Sequence, residues 1–276
     1  KVVLWSDIHN ADSVTRVNGS IKAEAGLHGG DGGKVETSGH LLNVDDIQVS
    51  TQSGKGQAGE WLLDPYDITI ANTGATGTTW AAGTVTSGTV KSFTPSATST
   101  ILATSITGAL ATSNVTVTTG AAGSPGSDNG DITNNVLLSW NTANTLTFNA
   151  ARNVTGTGMI DMSTGGGTFV INQAGTSTYS GSIRGTGHFI KQGMGTLTLS
   201  GTTSNYTGTT TITNGTLKAG STSALGSTSL VSFANTADAV LDLNNNNLTV
   251  GNLNGGGALG GNIILGNKTL TIGANS

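Results

Sequence analysis

Residues 165–220 carry one pattern twice, and this duplication constrains the chain more than any other feature. The first copy runs Gly166-Gly167-Thr168-Phe169-Val170-Ile171, Thr178-Tyr179-Ser180-Gly181 and Gly187-His188-Phe189-Ile190-Lys191-Gln192-Gly193. The second runs Met194-Gly195-Thr196-Leu197-Thr198-Leu199, Asn205-Tyr206-Thr207-Gly208 and Gly215-Thr216-Leu217-Lys218-Ala219-Gly220. Tyr179 and Tyr206 lie 27 residues apart, Phe169 and Leu197 28, and Gly193 and Gly220 27. A short repeat of strand-like segments with glycine and asparagine at the joints predicts the coil of a solenoid. Within each copy the period is two, which sends Leu197 and Leu199 inward and Thr196 and Thr198 outward. One coil cannot bury its own apolar side, so the stack is the folding unit. Tyr179 and Tyr206, sharing the repeat spacing, are expected to stack over one another. The competing reading is an antiparallel sandwich with a chance echo, but sandwiches rarely repeat turn and strand together.

Composition supports a β-rich chain. Of 276 residues 43 are glycine, only 3 are proline and 9% are charged, which disfavours both helix and a proline-rich disordered stalk. Residues 1–70 hold ten of the 15 carboxylates and five of the 11 bases, leaving the remaining 206 residues at a formal +1. No basic stripe is present to follow a phosphate backbone, so nucleic-acid binding is not expected. Cysteine is absent, which removes disulfide and thiolate chemistry. No stretch approaches a membrane span, and Lys1-Val2-Val3-Leu4-Trp5-Ser6-Asp7 lacks the apolar core of a signal peptide. The chain reads as an internal segment of something longer, and Ser276 closes it without a polar cap.

Two resemblances follow from particular residues. Gly29-Gly30-Asp31-Gly32-Gly33-Lys34-Val35-Glu36-Thr37-Ser38-Gly39 and Trp61-Leu62-Leu63-Asp64-Pro65-Tyr66-Asp67-Ile68-Thr69-Ile70 resemble paired motifs of filamentous-haemagglutinin-type (two-partner secretion) adhesins. That likeness continues through Val115-Thr116-Val117-Thr118-Thr119-Gly120 and Leu146-Thr147-Phe148 and covers about residues 1–160. Lys191-Gln192-Gly193-Met194-Gly195-Thr196-Leu197-Thr198-Leu199-Ser200-Gly201, with Asn205-Tyr206-Thr207-Gly208 and Gly215-Thr216-Leu217, resembles the passenger-associated repeat of autotransporters. Both resemblances imply secreted, surface-associated bacterial proteins built as right-handed parallel β-helices. They divide the chain into a haemagglutinin-like segment, 1–160, and a passenger-like repeat segment, 161–276, continuous with it. Neither resemblance assigns the export route.

The residues that could carry chemistry fall in turns or stand alone. Gly29-Gly30-Asp31-Gly32-Gly33-Lys34 is a turn rather than a phosphate loop, because Val35 follows the lysine where Ser or Thr is needed. Glycoside hydrolysis requires two carboxylates facing one sugar bond. Asp128 and Asp131 are close in sequence but sit in a turn-like stretch, with a calcium loop as the alternative. Asp45-Asp46 and Asp64 with Asp67 adjoin turns, and Asp242 between Leu241 and Leu243 is expected to face solvent. His9, His28, His40 and His188 have no metal-ligand spacing and read as turn and surface residues. Thr-x-Thr pairs at 116/118, 196/198, 211/213 and 269/271 should form outward ladders, and Asn244-Asn245-Asn246-Asn247 a turn.

The expected fold is therefore all-β: a right-handed parallel β-helix of roughly 11 to 13 coils of about 22 to 25 residues, about 55 Å long. One short peripheral helix is expected over about Ile101 to Leu110, where Ile101, Leu102, Ile106 and Leu110 share a side. The expected role is a structural and adhesive stalk of a large secreted or cell-surface protein, with no catalytic, cofactor-binding or metal residue and no cofactor. Expected partners are a component of a host or neighbouring-cell surface or matrix, glycans included, and an outer-membrane secretion pore during export. The alternatives are a polysaccharide-active β-helix enzyme and a filament subunit associating end to end.

Overall fold

In the computed structural model, residues 1–8, 13–73, 99–119 and 130–273 are described. The fold is nearly all-β, with strands piled in parallel and a single short helix among the described residues. Ten strands form the main sheet: Val2–Trp5, Lys34–Ser38, Glu60–Asp64, Asn114–Thr118, Thr145–Ala150, Thr168–Gln173, His188–Gln192, Thr210–Ile212, Leu230–Phe233 and Asn252–Gly255. Each pairs in parallel with the next, so the chain makes a full circuit between consecutive members. The circuit is completed by two narrower sides. Thr176–Tyr179, Thr196–Leu199, Thr216–Ala219, Val240–Asp242 and Asn262–Ile264 stack on the second; Leu138–Ser139, Ile160–Met162 and Ile183–Gly185 stack on the third. This is the parallel β-helix expected from the repeat.

The coil length differs from the expectation drawn from the echo. Successive partners Leu146, Phe169, Phe189, Thr210, Val231 and Leu253 are separated by 23, 20, 21, 21 and 22 residues. Phe169 lies under Phe189 on the main sheet, whereas Leu197 is on the second side between Ser177 and Leu217. The two sequence copies thus occupy different sides of the coil. They look alike because each side needs the same local grammar, a glycine turn followed by alternating inward aliphatic and outward threonine residues. Tyr179 accordingly pairs in register with Leu199 and does not stack on Tyr206. The ten main-sheet rungs among the described residues span about 43 Å at the inter-strand spacing. Among the described residues the count is below the expected 11 to 13 coils, and Glu60–Asp64 pairs directly with Asn114–Thr118.

The interior follows the alternation. Val35, Trp61, Val115, Leu146, Phe169 and Phe189 form one buried inward column of the main sheet. Phe148, Phe169 and Phe189 add ring contacts between coils, with centroids 5.2 Å apart for the first pair and 5.9 Å for the second. Trp61 donates its indole N–H to Thr37 Oγ1 at 3.1 Å, so the buried ring keeps a polar partner. Outside, Thr118, Asn149 and Asn172 are linked by side-chain bonds of 3.0 and 2.8 Å from coil to coil. The glycine-rich turn near residue 30 has a packing cause. A β-carbon on Gly32 would lie 1.8 Å from Thr51 O and one on Gly59 1.9 Å from Gly33 O, so only glycine lets these turns approach. At the Asn244–Asn247 turn, Asn244 and Asn245 adopt φ of 46° and 62°, and Asn246 Nδ2 donates to Ala219 O of the preceding coil at 2.9 Å.

The helix spans Ala103–Leu110, two residues shorter than expected, because Ile101 and Leu102 belong to the strand Ser99–Leu102. That strand pairs with Ile68–Ala71. The helix then takes a position on the third side, against the free edge of Ile47–Ser50, with Ser105, Ile106, Ala109 and Leu110 buried. Hydroxyls replace the missing ladder: Ser105 Oγ donates to Val44 O at 3.2 Å, and Ser113 Oγ accepts from Thr51 N at 2.9 Å. The helix thus covers this edge over most of its length and leaves no long run of open ladder groups.

Inward and outward positions should differ sharply in their energetic weight. Phe169→Ala is expected to cost about 3–5 kcal/mol, and the outward Thr196→Ala to change stability by no more than about 0.5 kcal/mol, as read from urea unfolding followed by circular dichroism.

Candidate functional site

Among the described residues, no three His, Asp or Glu side chains gather as a metal site would require. The acidic candidates instead act within the stack. Asp131 N donates to Asp67 Oδ1 at 2.6 Å; Asp131 Oδ1 in turn accepts from Arg152 Nε at 2.8 Å and from Asn153 N at 3.1 Å. Arg152 Nη2 closes a second contact to Asp131 Oδ2, giving a bidentate pair that raises the guanidinium pKa above its ordinary value, chiefly through the hydrogen bond from the side chain itself. This node ties three consecutive coils and leaves Asp131 engaged by cationic and amide donors. Asp128 lies outside the described residues, so the Asp128–Asp131 pairing has no geometry here. Asp45 and Asn43 bond each other within a turn, and Asp46 occupies the left-handed region at φ 61°. Asp242 faces outward as expected, paired with Lys218 at 3.4 Å on the preceding coil.

The histidines do not converge. His28 is exposed at a turn, His188 Nδ1 accepts from Thr209 N at 3.0 Å, and His40 stacks on Tyr66 with ring centroids 5.1 Å apart. His9 lies outside the described residues. Tyr179 and Tyr206 are fully buried, so neither ring offers a surface for a ligand to stack on. Tyr179 Oη receives a bond from Asn134 Nδ2 at 2.8 Å and donates to Gly158 O at 2.5 Å, while Tyr206 Oη meets Thr210 Oγ1 at 2.5 Å. Burial pushes the Tyr206 hydroxyl up to about 12 and that of Tyr179 further still.

One buried ionisable group was missed in the sequence. Lys191 occupies an inward position of the main sheet between Ile171 and Ile212, and is fully buried. Its ammonium curls to the adjoining turn and donates to Gln192 O at 2.7 Å, Gly193 O at 2.8 Å and Asn214 O at 3.2 Å. Three carbonyls from two coils thus share one cation. The period-two pattern of Phe189-Ile190-Lys191 does place it inward, which was the available signal. Around residues 20–24, 46–52 and 104–112, a groove of about 570 Å³ opens between Ile47–Ser50 and the helix, lined by polar side chains and two strand backbones.

With this geometry established, comparison with known proteins narrows the class. Residues 189–219 match the passenger-associated transport repeat, a stretch that runs from the main sheet through the second side, back to the main sheet at Thr210–Ile212 and on to the second side at Thr216–Ala219. At the level of whole proteins, the chain is similar to the adhesin BmaC autotransporter of Brucella suis biovar 1 (strain 1330), 44% identical over 142 residues. The match covers 51% of this chain and 4% of that relative, so the chain spans a small part of the relative's length. No solved structure matches.

Lys191 generates a pH dependence whose sign is fixed. Burial lowers its pKa from 10.5 to about 8. Below that value both folded and unfolded chains hold the proton, and the fold bears the full cost of the buried charge. As pH rises from about 8 toward 10.5 the folded chain releases the proton first, so stability increases. The urea midpoint should therefore climb between about pH 7.5 and 9.5, below the range in which the tyrosines ionise, and Lys191→Met should abolish that climb.

Proposed function

We propose that the chain is a β-helical passenger segment of a large autotransporter-type adhesin, displayed outside the outer membrane of a bacterium. The observation that carries this reading is the passenger-associated repeat at residues 189–219, embedded in a parallel stack with a continuous cluster of buried apolar side chains. The similarity to the Brucella adhesin supports the same conclusion. The segment acts mechanically. The stack holds adhesive surfaces away from the cell, and its own outer faces meet a component of a host or neighbouring-cell surface or matrix, glycans included. Export passes the unfolded chain through an outer-membrane pore. Each coil then folds on the one before it, since a new rung buries its apolar column and pairs its backbone in the same step.

The passenger repeat favours an autotransporter over a two-partner route, while the motifs around Gly29–Gly39 and Trp61–Ile70 retain their likeness to haemagglutinin-type adhesins. The adhesin relative supports a non-enzymatic role, and Asp131, the acidic candidate with described geometry, is engaged by Arg152.

Display of the segment on a non-adherent bacterial strain tests the reading. Adherence to cultured epithelial cells or to immobilised matrix and glycan surfaces should rise several-fold and saturate with competing soluble segment. Unchanged adherence on every surface would remove the adhesive role, hydrolysis of a polysaccharide panel would replace it with an enzyme, and long fibres of purified segment under the electron microscope would favour a filament.

A further inference from the structure

Where the helix replaces a rung of the third side, two backbone groups are left over. Strand Ile47–Ser50 joins Gly19–Lys22 through the backbone of Gln48 and Ser50, an orientation fixed by the bond from Ala23 N to Ser50 O at 2.9 Å. By strand alternation the backbones of Ile47, Val49 and Thr51 turn to the other edge, toward the helix. There Thr51 N reaches Ser113 Oγ, Thr112 Oγ1 donates to Val49 O at 3.4 Å, and Ile47 N turns back to Val44 O at 3.3 Å. Between these stitches Ile47 C=O and Val49 N–H meet no hydrogen-bond partner among the described residues. They border the 570 Å³ groove, whose outer wall is Thr104 and Gly108 of the helix with Thr112 just beyond its end. A β-carbon added at Gly108 would meet nothing within 4 Å, so the wall is notched there.

We propose that this groove binds an extended peptide segment of a partner protein as a one-residue strand addition parallel to Ile47–Ser50. In a parallel ladder a single neighbouring residue donates its N–H to the carbonyl of one residue and accepts from the amide two positions on, which is the relation of Ile47 C=O to Val49 N–H. An extended residue presents both groups on the same side. The N–H and C=O of an acetamido group, as on an N-acetylated sugar, point in opposite directions and satisfy only one. The lining contains no aromatic ring for a sugar to stack on, and its Lys22, Glu24 and Asp46 do not form the apolar trough that an amphipathic helix requires. The hydroxyl stitches on either side limit the addition to one bridge, so side chains lying at the Gly108 notch and beside the three charged groups carry the selectivity. The inference rests on the adhesive reading in one respect, that a partner surface is met outside the cell.

A displayed library of short linear peptides, panned against the whole segment, supplies the probe. Enriched peptides, made synthetically, should bind with slowed hydrogen exchange at the Val49 amide and should lose about tenfold or more in affinity for Gly108→Leu. That variant fills the notch yet removes a helix-interior glycine where the added side chain has room, so it folds. Equal binding to Gly108→Leu, unaltered Val49 exchange, failure to enrich any peptide, or groove occupancy by an N-acetylglucosamine oligomer with the same sensitivity would each overturn the proposal. Adherence of displayed wild-type segment distinguishes the two levels: if it persists while the peptide tests fail, only the groove assignment falls.

Discussion

Parallel pairing between consecutive coils is the constraint on which everything else depends. In the main sheet each interior strand gives its backbone donors and acceptors to the strands before and after it, and each inward side chain packs on its counterparts one coil away. Neither term is available to an isolated coil, so stability is shared between neighbours and not owned by any segment. The same requirement explains where charge is tolerated. The ion pairs of Lys1 with Glu36, Lys34 with Glu60, Arg152 with Asp131 and Lys218 with Asp242 all bridge successive coils on the outside, where the pairing register already holds the partners close. Exposed pairs of this kind contribute little energy each, but opposite charges in register avoid the repulsion that like charges would impose.

Much of this was legible because the period of two is written plainly. Leu197 and Leu199 are inward as read, and the asparagine run turns the chain as read. The 27-residue echo is not the coil step, because Gly-Thr-Leu-Thr-Leu at 195–199 and Gly-Gly-Thr-Phe-Val-Ile at 166–171 share a grammar imposed by any side of the coil. The true step is visible in Gly195-Thr196-Leu197 and Gly215-Thr216-Leu217, 20 residues apart, which the register superposes. A one-dimensional echo cannot distinguish a full circuit from a move to the next side, since both restore the same alternation. The candidate site was less legible. Lys191 reads as an outward charge by residue type, and only its register between Ile171 and Ile212 shows that three turn carbonyls take up its ammonium. Likewise the open edge beside the helix depends on which way the backbone of Ile47 and Val49 faces, a property of pairing that side-chain identity does not encode.

Lys191 and the helix illustrate two ways in which a stack accommodates irregularity. At Lys191 the column stays continuous: the aliphatic stem fills the space of an isoleucine, while the charged tip moves to the coil corner, where backbone carbonyls accept it. The departure is confined to one residue and its cost to the desolvation of one charge. At Ala103–Leu110 the departure is topological, because a helix cannot present a row of amides and carbonyls to a strand edge. Ser105, Thr112 and Ser113 repair the mismatch side chain by side chain, and hydroxyl groups at helical spacing do not coincide with every ladder position.

That mismatch bears on where a solenoid of this kind can recognise anything. Over residues 168–233 the main sheet is regular: interior strands have paired edges, inward columns are full, and the outer faces show threonine, asparagine and a few bridged charges in register. Such a surface offers side chains for contact but little unsatisfied backbone. Between Ile47 and Ser113 a strand edge meets a helix, a groove forms, and backbone groups of fixed direction come within reach of solvent. A directional acceptor and donor held by a rigid stack are already oriented when a partner arrives, so binding there need not order them. The regular coils therefore supply stiffness and the interrupted coil supplies recognition chemistry. A passenger built mostly from the former can gain a binding site by replacing a single rung.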